Sequence, residues 1–225
     1  MGAVRLDLHV HSRHSPDSSL TIDEIVAGLA SAGLNGFALT DHNTVAGHAE
    51  LGALQARFPD VVLVPGVEVS TIEGHLLAYG VTEAPPPRRP VRETIDWVRA
   101  HGGVPALPHP FRRSHGVGRA LTESLPVAAI ETLNGHNSPA ANRRAAEVAL
   151  QRKIPGTGGS DVHGLADLGR AFTVFEDGAA TADAVLAAMR AGRMTPGGAS
   201  LALPGRMRTG MRSFVLRLRR GFRPI

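Results

Sequence analysis

The chain has 225 residues, 43% of them hydrophobic, with no cysteine and a formal net charge of +4 at pH 7. That length suits one large domain with a sizeable core, and the lack of cysteine excludes disulfides, thiolate metal ligands and a cysteine nucleophile. The positive charge is local: residues 206–225 hold seven arginines and no acid, and setting them aside leaves 17 basic against 20 acidic residues, a net −3.

The first strand runs through Asp7-Leu8-His9-Val10-His11-Ser12, followed by Ser15-Pro16-Asp17. Side chains two apart on a strand share a face, so His9 and His11 project together, and Asp17 returns a carboxylate within one short loop. Thr21-Ile22-Asp23-Glu24 reads as a capping box opening a helix with Ile22, Ile25, Val26 and Leu29 on its apolar face and Gly33 as its stop. Gly36–Thr40 is a buried strand ending in Asp41-His42, and a helical stretch follows over Ala46–Arg57. Val61–Val67 is a strand ending in Glu68; Leu76–Tyr79 is a shorter one with His75 at its start. The proline-rich residues 83–90 form a stiff surface loop. A helix over Val91–His101 leads into the strand Val104–Leu107, which ends at His109-Pro110. Ala128–Leu133 is a strand carrying Glu131, Ala140–Lys153 is a helix, and Gly156–Ser160 delivers Asp161 and His163. The strand Ala171–Phe175 and helix Thr181–Ala191 complete the body.

Strand-helix alternation of this kind implies an α/β fold with a parallel sheet covered by helices, either an open doubly wound sheet or a closed barrel. His11, His42, Glu68, His109, Glu131 and Asp161 each stand at or just past the C-terminal end of a different strand. An open sheet gathers ligands at one switch point, whereas a barrel brings every strand end to one mouth, so the pattern favours a barrel. Six of the eleven histidines (His9, His11, His42, His75, His109 and His163) lie at strand ends or starts beside carboxylates, a density that points to metal binding by His, Asp and Glu.

With Asp-Leu-His-Val-His-Ser, Leu-Thr-Asp-His, Pro-Gly-Val-Glu, His-Pro, Glu-Thr-Leu-Asn-Gly and Gly-Ser-Asp-Val-His in this order over residues 7–163, the chain resembles the PHP-domain (polymerase and histidinol phosphatase) metal-dependent phosphoesterases. The resemblance implies a distorted (β/α)7 TIM-like barrel with two or three divalent metals, Mn, Zn or Fe, at its C-terminal mouth. It implies that His9, His11, Glu68 and Asp161 hold one metal. Glu68 would bridge to a second held with His75 and His109, and Asp17, His42 and His163 would hold a third. For His75, a shifted local register would put Glu73 or His101 in its place. The implied function is hydrolysis of a small phosphomonoester or nucleotide phosphodiester by a metal-bound hydroxide. Arg112 is the first choice for a phosphate clamp, ahead of Arg113. Asp41 is expected to orient a ligand imidazole, and Glu131 and Asn134 to order the surroundings of the site. His14, His48, His115 and His136 read as solvated, with His115 or His136 also placed to touch substrate.

Two other readings stand beside this one: a catalytically silent PHP scaffold or regulator, which loss of ligands would mark, and a nucleic-acid exonuclease. Some relatives that trim RNA or nucleotides insert a segment where only Gly80–Gly103 stands here, and the mildly acidic body offers no broad basic track for a long polyanion. The expected division is a phosphoesterase domain over 1–200 and a basic tail over 201–225. As a helix, the tail would align Met211, Val215, Leu218 and Phe222, with Arg208, Arg212 and Arg219 elsewhere. Such a helix packs on the body, lies on an anionic membrane or grips a nucleic-acid backbone. The oligomeric state is not legible. No apolar run approaches the roughly 18 residues needed to span a bilayer, and the first motif leaves no room for a signal peptide. The expected location is cytoplasmic.

Overall fold

The computed structural model describes residues 2–221. Nine strands form one sheet: β1 (Val4–Val10), β2 (Gly36–Leu39), β3 (Val62–Ser70), β4 (His75–Tyr79), β5 (Val104–Leu107), β6 (Ala129–Asn134), β7 (Gly156–Gly159), β8 (Ala171–Phe175) and β9 (Thr195–Gly198), in the spatial order β7-β6-β5-β4-β3-β2-β1-β8-β9. The helices are α1 (Ile22–Ala32), α2 (His48–Arg57), α3 (Val91–Ala100), α4 (Gly118–Ser124), α5 (Pro139–Arg152), α6 (Ala182–Arg190) and α7 (Leu203–Arg219). The sheet curls until its first and seventh strands meet. Val162 N donates to the His9 carbonyl at 3.1 Å and His11 N to the Val162 carbonyl at 3.2 Å, which nearly closes a distorted TIM-like barrel.

The sheet is mixed rather than parallel. β4 runs antiparallel to both β3 and β5, and β8 antiparallel to β1. Only residues 71–74 join β3 to β4, too few for the helical crossover a parallel neighbour requires. Between β7 and β8 there is room only for the short 3-10 turn Leu165–Asp167, so β8 likewise returns antiparallel. β9, whose Thr-Pro-Gly-Gly sequence carries no strand pattern, forms by pairing with the edge that β8 presents.

Three apolar clusters divide the core. Leu6, Leu8, Val64, Leu77, Tyr79, Ala106 and Ala129 fill the barrel, with Val185, Leu186 and Met189 of α6 packed into the same cluster. Val69, Leu76, Leu107 and Ile130 pack outward with Val91, Ile95 and Val98 of α3 and Ala145 of α5. Val10, Phe37, Leu39 and Leu63 pack with Ile22, Ile25 and Leu29 of α1 and Leu51 and Leu54 of α2. The expected capping box opens α1, Thr21 Oγ1 accepting from Glu24 N and Glu24 accepting from Thr21 N, and Gly33 closes it in the left-handed conformation.

α7 is an amphipathic helix with its polar side inward. Leu203, Met207, Met211 and Leu218 are all more than half exposed, while Thr209 is buried and Arg206, Ser213, Arg217 and Arg220 are partly covered. The surface beneath is polar. Arg220 donates to the carbonyls of Ser15 (2.7 Å) and Ser18 (3.0 Å), and Thr209 Oγ1 to Asp167 (3.2 Å). Phe222, expected to extend the apolar face, lies outside the described residues. Among the described residues no helix is long and apolar enough to cross a membrane.

Tyr79 lies fully buried inside the barrel and donates its hydroxyl to the Leu8 carbonyl at 2.9 Å. Tyr79→Phe should cost about 1–3 kcal/mol in denaturant unfolding, because the carbonyl loses a buried partner; an unchanged midpoint would show that this bond contributes nothing.

Candidate metal centre

The site begins with an irregularity in β1. Leu6 and Leu8 face the barrel core, yet Val10 packs outward against α1, because the β1–β2 register slips between Asp7 and Val10. Such a slip re-aims the side chains beyond it. His9 and His11 thereby point to the mouth just above an apolar floor. β7 passes tightly behind them, since a Cβ on Gly159 would lie 2.5 Å from His9 Cβ and 2.6 Å from Glu131 Oε1. Asp7, buried below, ties the seam: its carboxylate accepts from Ser160 N (2.8 Å), His9 N and Gly169 N (both 3.2 Å). Burial pushes its pKa up to about 6 against these hydrogen bonds.

Glu68, 1% exposed at the mouth end of β3, is the hub. Oε1 lies 2.8 Å from His75 Nδ1 and 3.0 Å from His109 Nε2; Oε2 lies 3.1 Å from His9 Nε2, 3.2 Å from His11 Nε2 and 3.3 Å from His42 Nδ1. Asp161 Oδ1 sits 3.4 Å from His11 Nε2 and 3.8 Å from His9 Nε2. Asp17 Oδ2 sits 3.1 Å from His163 Nε2 and 3.3 Å from His42 Nε2. All nine residues expected to hold metal therefore meet at one mouth. Glu73 instead accepts from Val91 N and His101 stacks on Trp97, which leaves His75 in its place.

Two of these residues occupy strained backbone. His109 has φ 27° and Asp161 φ 59°, in the left-handed region that suits glycine.

Several tautomers follow from the partners. His9 Nδ1 faces Glu131 Oε1 at 3.0 Å and so carries its proton there, presenting the Nε2 lone pair to Glu68 and Asp161. His163 Nδ1 donates to the Asp161 carbonyl at 2.7 Å, which frees Nε2 toward Asp17. His11 Nε2, His42 Nδ1, His75 Nε2, His109 Nδ1 and Asp17 Oδ1 are buried without a hydrogen-bond partner among the described residues. Buried lone pairs and carboxylate oxygens left unpaired are costly unless a cation accepts them. Four triads (His9-His11-Asp161, His9-Glu68-His109, His42-Glu68-His75 and His11-His42-His163) each offer three ligand atoms within 4.8 Å of one another. This donor set fits divalent metal.

The charges are strongly coupled. Burial raises the cost of ionising Glu68, but the imidazoles of His9, His75 and His42 hold its pKa well below the usual range. Burial likewise opposes ionisation of Asp161, and Arg112 and His9 reverse it. Burial disfavours a charged His11, yet the carboxylates of Asp161 and Glu68 beside its Nε2 lift its pKa to about 10. Burial and the neighbouring Arg112 push His109 down to about 3.

Arg112 and Asp41, expected to serve catalysis, are differently engaged. Arg112 Nη2 contacts Asp161 Oδ2 at 2.6 Å and Asn134 Oδ1 at 2.7 Å, and its Nε donates to Asn137 Oδ1 at 3.0 Å, so the guanidinium lies at the site but already holds partners. Asp41 accepts from Ser12 N (2.6 Å) and Ser12 Oγ (2.7 Å) instead of an imidazole. The partner of His11 Nδ1 is Ser15 Oγ at 3.2 Å, a role the sequence does not mark within an ordinary Ser-Pro-Asp turn. Glu131 and Asn134 order the surroundings as expected: Glu131 also accepts from His109 N and Asn134 Nδ2. His14 pairs with Glu50 and His48 with the Gly66 carbonyl, while His115 stacks on His75 and His136 stands 3.6 Å from Asp167, both at the rim.

Comparison with known proteins agrees with this geometry. The PHP domain model matches residues 7–89 and the PHP-associated model residues 139–194. An uncharacterised protein of Methanocaldococcus jannaschii is 31% identical over 118 residues, 48% of this chain and 68% of that one. A 3',5'-nucleoside bisphosphate phosphatase of Chromobacterium violaceum is 39% identical over 36% of this chain and 29% of its own. A phosphoribosyl 1,2-cyclic phosphate 1,2-diphosphodiesterase of Eggerthella lenta is 37% identical over 36% and 32%. The match to these two enzymes thus spans about a third of their lengths. The crystal structure of PsfC from Pseudomonas syringae superposes with a TM-score of 0.69 at 17% identity, covering 97% of this chain and 99% of that one. A barrel with histidines and carboxylates converging at its mouth is the architecture of a metal-centre protein. The chain belongs to the PHP domain family.

In the metal-free protein His11 is more basic folded, at about 10, than unfolded, at about 6.5. The stability it contributes is complete below about pH 6.5 and is lost as the pH climbs to about 10. Calorimetry in chelator should show the melting temperature falling over that interval. A cation takes the proton's place, so excess divalent metal should abolish the fall; a melting temperature that rises with pH in chelator would contradict this charge scheme.

Proposed function

We propose that the chain is a metal-dependent hydrolase of phosphate esters, acting on a small phosphomonoester or a nucleotide phosphodiester. The observation that carries this reading is the convergence on Glu68 of five imidazoles from four segments, with Asp161 and Asp17 beside them. The names of the two enzymes similar to residues of this chain support phosphate esters as the substrate class.

Two or three divalent cations are proposed, with Mn, Zn or Fe preferred because imidazole and carboxylate are mixed in each proposed ligand set. His9, His11, Glu68 and Asp161 would hold the first, Glu68, His75 and His109 the second, and Asp17, His42 and His163 the third. When bound, such cations neutralise negative charge on a phosphoryl group and acidify water near neutral pH. The chain's own residues do the rest. Glu131 and the Asp161 carbonyl fix imidazole tautomers, while Ser15 and Asp41 hold the loops that carry His11 and Asp17. Arg112, a quarter exposed on the cavity side, supplies a fixed positive charge beside Asp161 for a phosphoryl oxygen. α7 crosses the mouth and leaves a cavity of about 430 Å³. That volume suits a small molecule, and it favours a small ester over a polymeric strand.

The test is metal content together with turnover of p-nitrophenyl phosphate and bis-p-nitrophenyl phosphate in Mn. Two or three metals per chain and cleavage of either ester are expected, and Asp161→Ala should lose metal and at least a hundredfold in kcat. Full activity in that variant would refute the ligand scheme. Arg112→Ala should raise KM about 10- to 100-fold, the effect of one charged hydrogen bond of about 1.5–3 kcal/mol, at unchanged metal content. An unaltered KM would remove Arg112 from substrate binding.

A further inference from the structure

The cavity beside the metal centre has two unlike walls. One is the centre itself, represented by Asp161 and His163; the other comes from Asn137 and from Arg206 and Ser213 on the inner face of α7. The second wall is donor-rich, and three of its donor atoms are unpaired among the described residues. Asn137 is 3% exposed, and its Nδ2, Arg206 Nε and Ser213 Oγ have no hydrogen-bond partner among the described residues. Arg206 makes no ion pair among the described residues. The orientation of the Asn137 amide is not arbitrary: Arg112 Nε donates to Oδ1 at 3.0 Å, so Nδ2 is the atom left without a partner among the described residues, on a residue that lines the cavity. α7 also turns its apolar stripe to solvent and Arg206, Arg217 and Arg220 toward the body; Arg220 meets the Ser15 and Ser18 carbonyls, whereas Arg206 faces the cavity with no acceptor among the described residues.

We infer that α7 completes the substrate pocket, with Arg206, Asn137 and Ser213 forming a subsite for a second phosphate group. The preferred substrates are then small phosphate esters that carry another phosphate some bonds away from the one at the metals. Three donors from a loop and two turns of a helix converge on one space, which matches the several outward oxygens of a tetrahedral phosphate better than a planar carboxylate. The inference rests on the reading of the metal centre as a phosphoester site, and it goes beyond that reading by assigning α7, which lies outside both matched family segments, to substrate recognition.

Two non-hydrolysable probes that differ only in the second group test it: propylphosphonate and propane-1,3-bisphosphonate, titrated calorimetrically into the full-length Mn-loaded protein. The wild type should bind the bisphosphonate at least tenfold more tightly. In Arg206→Ala that ratio should fall to about two, the statistical factor for two equivalent ends. Arg208→Ala removes the same charge from the outer face and should keep the full ratio. Ser213→Ala, a smaller change that leaves the helix surface intact, should lower the ratio severalfold and guards against a folding defect in Arg206→Ala. Equal affinities in the wild type, or a ratio that survives both Arg206→Ala and Ser213→Ala, would overturn the subsite while leaving the phosphoester reading in place. Binding of neither probe would overturn both.

Discussion

The fold is arranged around one expensive act, the burial of an ionised carboxylate. Glu68 is almost fully removed from water, and among the described residues its ion pairs are all with imidazoles, none with arginine or lysine. Such a charge is tolerated only when every lone pair is met by a donor or a cation. Four segments must therefore deliver five rings to one place, and a closed arrangement of strand ends does so. The slip in β1, the glycine-lined passage of β7 and the three amides converging on Asp7 serve the same closure. Because Glu68 touches all the rings but His163, the proton on any one of them alters the energy of the others, and the centre titrates as a unit.

Much of this was legible in the chain. His9 and His11 share a face by strand period, and the polar residues past successive apolar runs mark one end of a barrel. The rest escaped for physical reasons. A strand pattern carries no direction, so the antiparallel β4 is visible only once four residues are seen to join it to β3. β9 has no pattern of its own and exists because β8 offers an unpaired edge. Asp41 and Arg112 sit in the expected neighbourhood, but their partners, Ser12 and Asp161, are set by side-chain distances that spacing along the chain does not encode.

α7 shows the limit most clearly. Periodicity revealed a helix with an apolar stripe and a basic remainder, and the usual assumption would turn the stripe inward. The surface it covers decides otherwise. The Ser15 and Ser18 carbonyls and Asp167 are acceptors, so arginine and threonine face them and methionine and leucine face water. A segment lying beyond the matched family regions thus becomes a wall of the cavity, and the size of what enters is set by a helix far from the metal-binding residues in sequence.

The backbone at His109 and Asp161 has a consequence for how such a sequence can drift. Both residues hold left-handed dihedral angles that cost about a kilocalorie or more per mole in any residue with a Cβ. Glycine would relieve that strain at either position and would delete an imidazole or a carboxylate in doing so. The most stable version of this barrel and its most reactive version are therefore different sequences. Lineages under selection for stability alone would slide toward the glycine forms, and a chain that still spells histidine and aspartate at these two angles stands on the reactive side of that divide.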